Sequence, residues 1–355
     1  MLNTRMETPL RSLPVRDLDH VLEHGETALH ALRGARIFIT GGTGFIGRWL
    51  LESLLAANAR LGSGISATVL SRSPEAFSAR APQFASAGCF AWLRGDVRDF
   101  SFPPGTWSHM VHAATPASAA LNNSRPHEMF DTIVEGTRRA LEFARECGAL
   151  EILFVSSGGV YGRQPAGLDC IPETFSGAPD SADSGAAYAE GKRAGEMLCA
   201  IAAQSGVLRP RIARGFAFVG PHLPLDAHFA AGNFLRDALH GREIVVRGDG
   251  TAYRSYMYAA DLVVWLLTIL VRGIPMRPYN VGSDKPVSIA GVAGISAGLP
   301  ANRLPVTVRT APSGNPPERY VPSVERARQE LGLEVRIGLD DAFRRTYQWL
   351  RGAQA

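Results

Sequence analysis

Tyr188 and Lys192 are the two residues whose types and spacing point most directly to chemistry. A separation of four residues on a helix places both side chains on one face. The lysine is a cation that favours the phenolate, so we expect it to lower the pKa of Tyr188 from its usual value of about 10 and to suit the tyrosine to proton transfer. Ser157 ends an apolar segment upstream, where its hydroxyl could hydrogen-bond a sugar hydroxyl or a carbonyl, or could simply satisfy a turn.

A glycine-rich turn between a predicted strand and a predicted helix forms the second motif. Gly41, Gly44 and Gly47 occupy its first, fourth and seventh positions, and Phe45 and Ile46 open the helix. Such glycines permit a tight turn, a close approach of the backbone to a pyrophosphate and close packing of helix on strand, while the helix N-terminus offers free N–H groups and partial positive charge. The motif therefore predicts a dinucleotide site; a turn that binds nothing is the alternative.

Residues after the second and third predicted strands bear on which dinucleotide binds. The second strand ends at Arg72 without the acidic residue that usually meets a free ribose 2′-hydroxyl, whereas this arginine could neutralise a 2′-phosphate. This favours NADP over NAD, unless Arg72 is only a solvated charge. Asp96 is placed to accept hydrogen bonds from an adenine amino group, or to cap a turn, and Val97 to cover the ring.

The elements that must position these residues alternate between strand and helix. Apolar periodicity predicts strands at 35–40, 66–70, 90–93, 109–113 and 152–156, with helices between several of them. This order predicts an α/β fold with a Rossmann-type, doubly wound parallel sheet.

Composition and apolar periodicity also predict the domain organisation of the chain. Residues 1–34 are predicted to form a helical extension and residues 35–213 the dinucleotide-binding domain. Residues 214–355, rich in Gly and Pro, are predicted to form a smaller α/β substrate lobe that ends in a helix at 339–350, with part of 255–285 returning to the Rossmann domain.

The bulk composition excludes several classes of protein. The 355 residues include 37 basic and 33 acidic ones, a formal charge of +4 without a block of like charge, so no nucleic-acid partner is expected. No apolar run reaches the roughly 18 residues that cross a bilayer, and residues 1–16 lack a secretory signal, which predicts no membrane association and a cytoplasmic protein. No metal site is expected, and reduced structural thiols are predicted at Cys89, Cys147, Cys170 and Cys199.

Taken together, the motifs resemble those of the extended short-chain dehydrogenases/reductases, in the NAD(P)-dependent nucleotide-sugar epimerase/dehydratase group, over residues 35–352. The matching segments are 40–47, 95–97, His112-Ala-Ala-Thr-Pro-Ala-Ser118, Ser156-Ser157, Tyr188-x-x-x-Lys192, Gly220-Pro221, 254–261 and Tyr279-Asn-Val-Gly282.

The resemblance implies a role for each matching residue. Tyr188 would be the catalytic base, Lys192 would bind the nicotinamide ribose and tune the tyrosine, and Ser157 would assist at the oxidised carbon. Further residues would bind the cofactor (Ala113, Ala114 and Thr115), the sugar nucleotide (Ser118) and its diphosphate (Asn233 and Arg254). The resemblance also implies a homodimer formed through the helices at 130–147 and 188–204, and a nucleotide-diphosphate sugar as substrate.

Departures from the family pattern narrow the expected reaction. The segments 115–118 and 188–193 look most like those of UDP-glucuronate decarboxylases, but the carboxylates that decarboxylases and 4,6-dehydratases carry before Val-Tyr-Gly are replaced here by Gly158 and Gly159. Ile133 and Ala217 stand where relatives commonly have Asn, so the diphosphate is expected to be held differently.

The predicted function is therefore hydride transfer at the sugar C4, as in an epimerase or a 4-keto-sugar reductase. The alternatives are a dehydratase or decarboxylase that recruits another acid, with Glu190 or His112 as candidates, and a non-catalytic protein that senses the dinucleotide.

Overall fold

A computed structural model of the chain describes residues 10–116, 119–226, 229–312 and 314–352. The strands are β1 (Arg36–Thr40), β2 (Ser66–Ser71), β3 (Phe90–Arg94), β4 (His109–His112), β5 (Glu151–Ser157), β6 (Arg209–Gly215), β7 (Phe218–Val219), β8 (Ile244–Val246), β9 (Tyr253–Arg254), β10 (Met257–Tyr258), β11 (Pro278–Val281), β12 (Val287–Ser288), β13 (Val306–Val308) and β14 (Arg319–Tyr320). The helices are α1 (Val15–His24), α2 (Glu26–Ala31), α3 (Phe45–Leu61), α4 (Pro74–Arg80), α5 (Pro82–Ala85), α6 (Ala119–Ser124), α7 (Pro126–Cys147), α8 (Ala187–Ala203), α9 (Ala230–Leu239), α10 (Ala259–Arg272), α11 (Ile289–Ala297), α12 (Glu325–Leu331) and α13 (Leu339–Arg351). Short 3-10 turns lie at Gly158–Tyr161 and Ser184–Ala186.

The central sheet, within the described ranges, has seven parallel strands in the order β11-β6-β5-β4-β1-β2-β3. The chain runs outward from β1 to β3 and then returns to β4 on the other side of β1, so the strand order reverses there. A crevice opens at such a switch point, beyond the carboxyl ends of the strands, and doubly wound sheets bind their ligands in it. The predicted α/β fold is confirmed, and the predicted strands match the observed bounds to within one residue at each end.

Strand β6 belongs to the same sheet but was not predicted. It reads Arg-Pro-Arg-Ile-Ala-Arg-Gly, so charged residues and a proline break the apolar pattern. Ion pairs compensate these charges: Arg211 pairs with Glu151 on β5, and Arg214 lies 2.6 Å from a carboxylate oxygen of Glu196 on α8. A charge can enter a sheet when it is paired, and pairing across distant residues leaves no local trace in the sequence.

A buried helix, α10, supports the sheet from one side. Every residue from Ala259 to Leu270 is buried, as expected for a helix that is apolar on all faces. Helices α1, α2 and α3 pack against it. None of the helices in the described part of the chain is both long and apolar enough to cross a membrane.

The short strands of the C-terminal half bring distant residues into register. Strand β9 lies between β12 and β14, pairing antiparallel with the first and parallel with the second. This parallel pairing places Arg254 directly beside Tyr320. This three-stranded sheet therefore joins the segment around residue 254 to the segment around residue 320.

Buried carboxylates fix the N-terminal extension to β10, α10 and α13. Asp17 on α1 is fully buried and accepts hydrogen bonds from the hydroxyl of Tyr258 at 2.6 Å and from Arg345 at 2.9 Å. His20, one turn later, lies 2.7 Å from a carboxylate oxygen of Asp261. The two contacts join the extension to elements far along the chain, so residues 10–34 form part of the folded unit.

We expect Asp17→Asn to lower the free energy of unfolding by about 1–3 kcal/mol, because the substitution removes the buried charge that accepts from Tyr258 and Arg345, while Arg345 keeps its pair with Asp341. Urea denaturation monitored by circular dichroism measures the change. Asp19→Asn is the matched control: Asp19 lies on the same helix but is 56% exposed and pairs with Arg60 at the surface. That exposed pair should contribute less than about 1 kcal/mol. Equal losses for the two variants would contradict the structural role of Asp17.

Candidate active site

The turn between β1 and α3 is packed tightly against the end of β4. Gly41 has a φ of +75°, and a Cβ at this residue would lie 2.5 Å from the carbonyl oxygen of Ala113. A Cβ at Gly47 would clash with the backbone of Gly42. Gly44 is different, because a Cβ there would meet only the carbonyl oxygen of Gly41, at 3.4 Å. The first and last glycines are therefore required by packing, whereas Gly44 leaves the turn open to a ligand.

The start of α3 is suited to an anion. Gly44 is the N-cap of α3, and no side chain caps this helix among the described residues. The N–H groups of its first turn, beginning at Phe45 and Ile46, can therefore donate to a phosphate, and the helix dipole adds partial positive charge. This open, uncapped turn at the switch point fits the pyrophosphate of a dinucleotide.

The residues expected at the adenosine end follow β2 and β3. Arg72 is exposed directly after β2, and its charge helps to lower the pKa of Asp96. Hydrogen bonds from Arg98 are the main cause of that lowering, and the backbone N–H of Arg98 also donates to Asp96 at 3.0 Å. Asp96 thus closes a turn, the second role considered for it above. Val97 is buried against Gly136 of α7, where a Cβ would lie 2.8 Å from it.

The end of β4 is held by a buried histidine. His112 bridges two hydroxyls, that of Thr40 at 2.7 Å through Nδ1 and that of Thr137 at 3.1 Å through Nε2. Burial lowers its pKa to about 3, with a smaller contribution from the charge of Lys192. The Thr40 hydroxyl also accepts from the N–H of Ala114, 3.2 Å away. His112 is therefore a neutral residue that shapes the segment from Ala113 to Thr115, and its ring nitrogens are occupied.

Ser157 lies at the carboxyl end of β5, next to Tyr188. Its Oγ accepts a hydrogen bond from the N–H of Gly159 at 3.1 Å, which caps the 3-10 turn that follows. Burial raises the pKa of Tyr188, and a hydrogen bond with Ser157 partly offsets this rise. The structure thus brings the predicted serine and tyrosine together.

Tyr188 is fixed at the start of α8 by an asparagine that the sequence analysis did not single out. The side-chain oxygen of Asn122 accepts from the backbone N–H of Tyr188 at 3.0 Å, and its amide donates to the carbonyl of Gly185 at 2.7 Å. Asn122 is itself buried. This bridge from α6 sets the position of the first turn of α8 and with it the position of the phenol.

Lys192 is buried beneath the site, and its charge is directed to the backbone of β5. Its Nζ donates to the carbonyl oxygen of Val155 at 2.6 Å and lies 5.1 Å from the ring centre of Phe154. Burial lowers the pKa of Lys192 to about 7, and the carboxylate of Glu196 opposes that change. The expected lowering of the Tyr188 pKa by this lysine is not observed, because burial of the phenol dominates and Ser157 supplies the opposing interaction.

A partly buried ion pair lies close to Lys192. Glu196 accepts from both Nε and Nη2 of Arg214, at 2.9 and 2.6 Å, and from the hydroxyl of Ser156 at 2.6 Å. The carboxylate of Glu196 lies one helical turn beyond Lys192 and favours the ammonium form of the lysine.

The position of Gly158 has no space for a side chain. A Cβ built there would lie 2.6 Å from the ring of Phe216 and 2.7 Å from the hydroxyl oxygen of Tyr320. The two rings pack together with their centres 4.7 Å apart. Gly159 is less restricted, since its Cβ would meet Ala189 and the Ser157 oxygen at 3.4 Å. Two aromatic side chains thus occupy the space next to Ser157.

The remaining predicted residues are placed as follows. Arg254 lies on β9 beside Tyr320, and its guanidinium is 3.3 Å from the carboxylate of Glu318. Asn233 lies on α9, where its side-chain oxygen is 3.4 Å from Arg236. Glu190 forms an ion pair with Arg193 at 3.4 Å. Ser118 lies outside the described residues. Ile133, which replaces a common Asn, is buried on α7 against Gly191 of α8.

The doubly wound sheet, the open glycine turn and the Ser157-Tyr188-Lys192 group define an extended short-chain dehydrogenase/reductase. Residues 37–282 match the model of the NAD dependent epimerase/dehydratase family, and the chain belongs to this family of enzymes.

Individual relatives of different activities resemble the chain. UDP-glucuronic acid decarboxylase 1 of Xenopus tropicalis is 27% identical over 317 residues, which cover 89% of this chain and 72% of the relative. The structure of UDP-glucose 4-epimerase of Thermotoga maritima aligns with a TM-score of 0.76 at 20% identity, over 90% of this chain and 100% of the other. UDP-glucose 4-epimerase of Thermus thermophilus, solved with NAD, aligns with a TM-score of 0.74 at 25% identity, over 90% and 99% of the two chains.

Proposed function

We propose that this protein is a nicotinamide-dependent epimerase, or a 4-keto-sugar reductase, that acts at C4 of a nucleotide-diphosphate sugar. The observation that carries the proposal is that Gly158 and Gly159 leave the site without a carboxylate before Val160. The resemblance places a Glu at position 159 in decarboxylases and an Asp-Glu pair at positions 158 and 159 in 4,6-dehydratases. Both positions are glycine here, and Phe216 and Tyr320 occupy the volume that a side chain at 158 needs. The site keeps the groups for one proton transfer, and it lacks the additional acid at this place.

The chain's own residues support a single proton transfer at the sugar hydroxyl. Tyr188, as phenolate, takes the proton from the C4 hydroxyl in the oxidising direction and returns it in the reducing direction. Ser157 donates a hydrogen bond to the same oxygen or to the phenolate. A nicotinamide cofactor, whose pyrophosphate the open turn at Gly44 would hold, would supply the hydride acceptor and donor. Lys192 contributes positive charge beneath the site, close to the carbonyl end of β5.

A decarboxylase is the second candidate, favoured by the curated relatives named UDP-glucuronic acid decarboxylase. Decarboxylation requires another acid, and neither of the two candidates from the sequence, His112 and Glu190, is well placed for that role. His112 is neutral, with both ring nitrogens bonded to threonine hydroxyls. Glu190 is paired with Arg193, whose guanidinium also bonds the carbonyls of Val160 and Gly177.

Product analysis separates these reactions. The purified chain is incubated with UDP- and dTDP-linked glucose, N-acetylglucosamine, glucuronate and 4-keto-6-deoxy sugars, with NAD or NADP, and the products are analysed by mass spectrometry and NMR. An epimerase gives a product of unchanged mass with inverted C4, and a reductase gives a gain of two hydrogens with oxidation of the cofactor. Loss of water or carbon dioxide, absent in a Tyr188→Phe control, would overturn the proposal and identify a dehydratase or decarboxylase.

We also propose that the cofactor is NADP in preference to NAD, because Arg72 is exposed at the end of β2, with Ser71 and Ser73 on either side in place of the usual acid. Arg72→Ala should reduce the preference for NADP over NAD by about tenfold or more, since it removes a charge-assisted contact to the 2′-phosphate. Titration of both cofactors by fluorescence measures the ratio. Arg94→Ala is the control, because Arg94 lies next to Arg72 but is paired with Glu75. An unchanged ratio in Arg72→Ala would contradict the assignment.

A homodimer is the assembly that we propose for the enzyme. Helices α7 and α8 pack against each other, and α8 exposes two large apolar side chains one turn apart, Met197 and Ile201, at 62% and 55% exposure. Apolar side chains exposed side by side on a helix are typical of a surface that another subunit covers. Light scattering on the full chain gives the mass, and a monomer at all concentrations would contradict the proposal.

A further inference from the structure

Tyr188 lies in the first turn of α8, the part of a helix that is held least firmly by the helix itself. The first four N–H groups of a helix have no partner within it, and helix ends fray. Ala186, the N-cap of α8, makes no side-chain hydrogen bond to this turn. A group that transfers a proton must be held within about 0.5 Å of its productive position, so this turn requires support from another element.

Asn122 on α6 supplies this support with both ends of its side-chain amide. Its oxygen accepts from the N–H of Tyr188 at 3.0 Å, and its NH2 group donates to the carbonyl of Gly185 at 2.7 Å. A backbone N–H only donates and a carbonyl only accepts, so the two bonds require a side chain that carries an acceptor and a donor together. Asn122 is 8% exposed, and this burial strengthens both bonds.

The segments on either side of this bridge are themselves held in place. Gly185 lies in the 3-10 turn that precedes α8, and its N–H donates to the carboxylate of Asp183 at 2.8 Å. On the other side, the N–H of Arg125 donates to the carbonyl of Leu121 at 2.7 Å, where α6 meets α7. Helix α6 packs on α7, which in turn packs along α8. Asn122 therefore connects Tyr188 to a fixed part of the fold.

We propose that Asn122 is a positioning residue: it caps α8 from a neighbouring helix and so fixes the phenol of Tyr188 for proton transfer. This role rests on the proposed function, because it gives the acid–base tyrosine a support outside its own helix. Helix α6 also follows the segment that carries Ala113, Ala114 and Thr115, which the resemblance assigns to the cofactor. The bridge thus sets the base relative to the segment that would contact the ligand.

A purely structural cap at Asn122 would have a different effect. Loss of a helix cap lowers stability whatever the helix carries, so a structural role predicts a lower unfolding temperature and unchanged turnover by the folded protein. A positioning role predicts in addition a lower kcat with little change in KM. The sugar nucleotide is then still bound by other groups, while the proton transfer loses its geometry.

The test is Asn122→Ala, which removes both hydrogen bonds and adds no bulk. We expect kcat, measured at the pH optimum of each variant, to fall about 10- to 100-fold, with KM and cofactor affinity within about twofold. Asn123→Ala is the matched control, because it is the same substitution at the adjacent residue of α6, which is exposed. It should leave kcat unchanged. Thermal unfolding of each preparation gives its folded fraction at the assay temperature.

A conservative variant isolates the bond to Tyr188. Asn122→Asp keeps an oxygen that accepts from the N–H of Tyr188 and loses only the donor to Gly185, and Asp and Asn are about equally good at helix starts. We expect it to restore kcat, at its own pH optimum, to within about threefold of the unmodified chain. A folded Asn122→Asp variant as inactive as Asn122→Ala would contradict a role that passes through this N–H.

A second measurement needs no substrate. The tyrosines are replaced by fluorotyrosine, and a Tyr188→Phe variant identifies the fluorine NMR resonance of residue 188. We expect this resonance to shift or broaden in Asn122→Ala, because the ring samples more positions once the first turn of α8 is released. It should keep its position and width in Asn123→Ala.

The outcomes separate failure of this role from failure of the proposed function. A changed Tyr188 resonance supports the role of Asn122 even if none of the sugar nucleotides is turned over. An unchanged resonance in a folded Asn122→Ala variant overturns it, whatever the reaction is. An undiminished kcat in Asn122→Ala, with only a lower unfolding temperature, also overturns it and leaves Asn122 as a structural cap.

Discussion

Tyr188→Phe is expected to reduce kcat about 10²- to 10⁴-fold, the range typical for loss of a general acid–base group. The phenylalanine keeps the ring in place at the start of α8, where the backbone N–H is fixed by Asn122. Cofactor affinity and the unfolding temperature should therefore remain close to those of the unmodified chain. Turnover of the sugar nucleotide, followed by NMR, gives kcat, and cofactor fluorescence gives the affinity.

Tyr161→Phe is the control for this prediction, because it also removes one phenol hydroxyl close to β5. The Tyr161 hydroxyl donates to the side-chain oxygen of Asn280 at 2.8 Å, inside the core. Its loss should cost about 1 kcal/mol of stability and leave kcat within about twofold. If Tyr188→Phe kept more than about a tenth of the activity while Tyr161→Phe lost most of it, the base would have to be reassigned.

The pH dependence of the reaction should reflect competition between burial and hydrogen bonding at Tyr188. Burial raises the pKa of the phenol, and Ser157 is the group that lowers it. Lys192, whose pKa is lowered to about 7, gives its hydrogen bond to Val155. Ser157 is therefore better placed than the lysine to set the pH at which Tyr188 loses its proton.

The sequence predicted those parts of the fold whose signals are local. Strands β1 to β5 are short apolar segments, and the glycine turn stands between a strand and a helix, so periodicity and turn chemistry were sufficient. Strand β6 was missed because its arginines are neutralised by Glu151 and Glu196, which come from β5 and α8. A local pattern cannot reveal a charge that is paired across the fold.

The same distinction applies to the site. Ser157, Tyr188 and the turn at Gly44 were found from spacing, whereas Tyr320 and Phe216 are single aromatic residues in segments without periodicity. The pairing of β14 with β9 holds Tyr320 next to Gly158, together with hydrogen bonds between Val321 and the two residues Gln164 and Ile171. The sign of the Tyr188 pKa shift was also wrong, because a lysine four residues away is visible in the sequence and the burial of the phenol is not.

Substitutions in the glycine turn can test its role in cofactor binding separately from its role in folding. Gly44→Ala should weaken nicotinamide cofactor binding about 10- to 100-fold, because its methyl group would stand at the open N-cap of α3, where the pyrophosphate must approach the backbone. The fold should tolerate the change, since a Cβ at Gly44 meets only the Gly41 oxygen, at 3.4 Å. Cofactor titration and thermal unfolding of the same preparation measure the two effects.

Two other glycines complete the comparison. Gly41→Ala should lower both cofactor affinity and stability, because residue 41 has φ +75° and its Cβ would lie 2.5 Å from the carbonyl oxygen of Ala113. Gly88→Ala should change neither, since nothing lies within 4 Å of a Cβ there. If Gly44→Ala bound the cofactor as tightly as Gly88→Ala does, the pyrophosphate could not approach α3 through Gly44. The phosphate site would then have to lie elsewhere along the switch-point crevice.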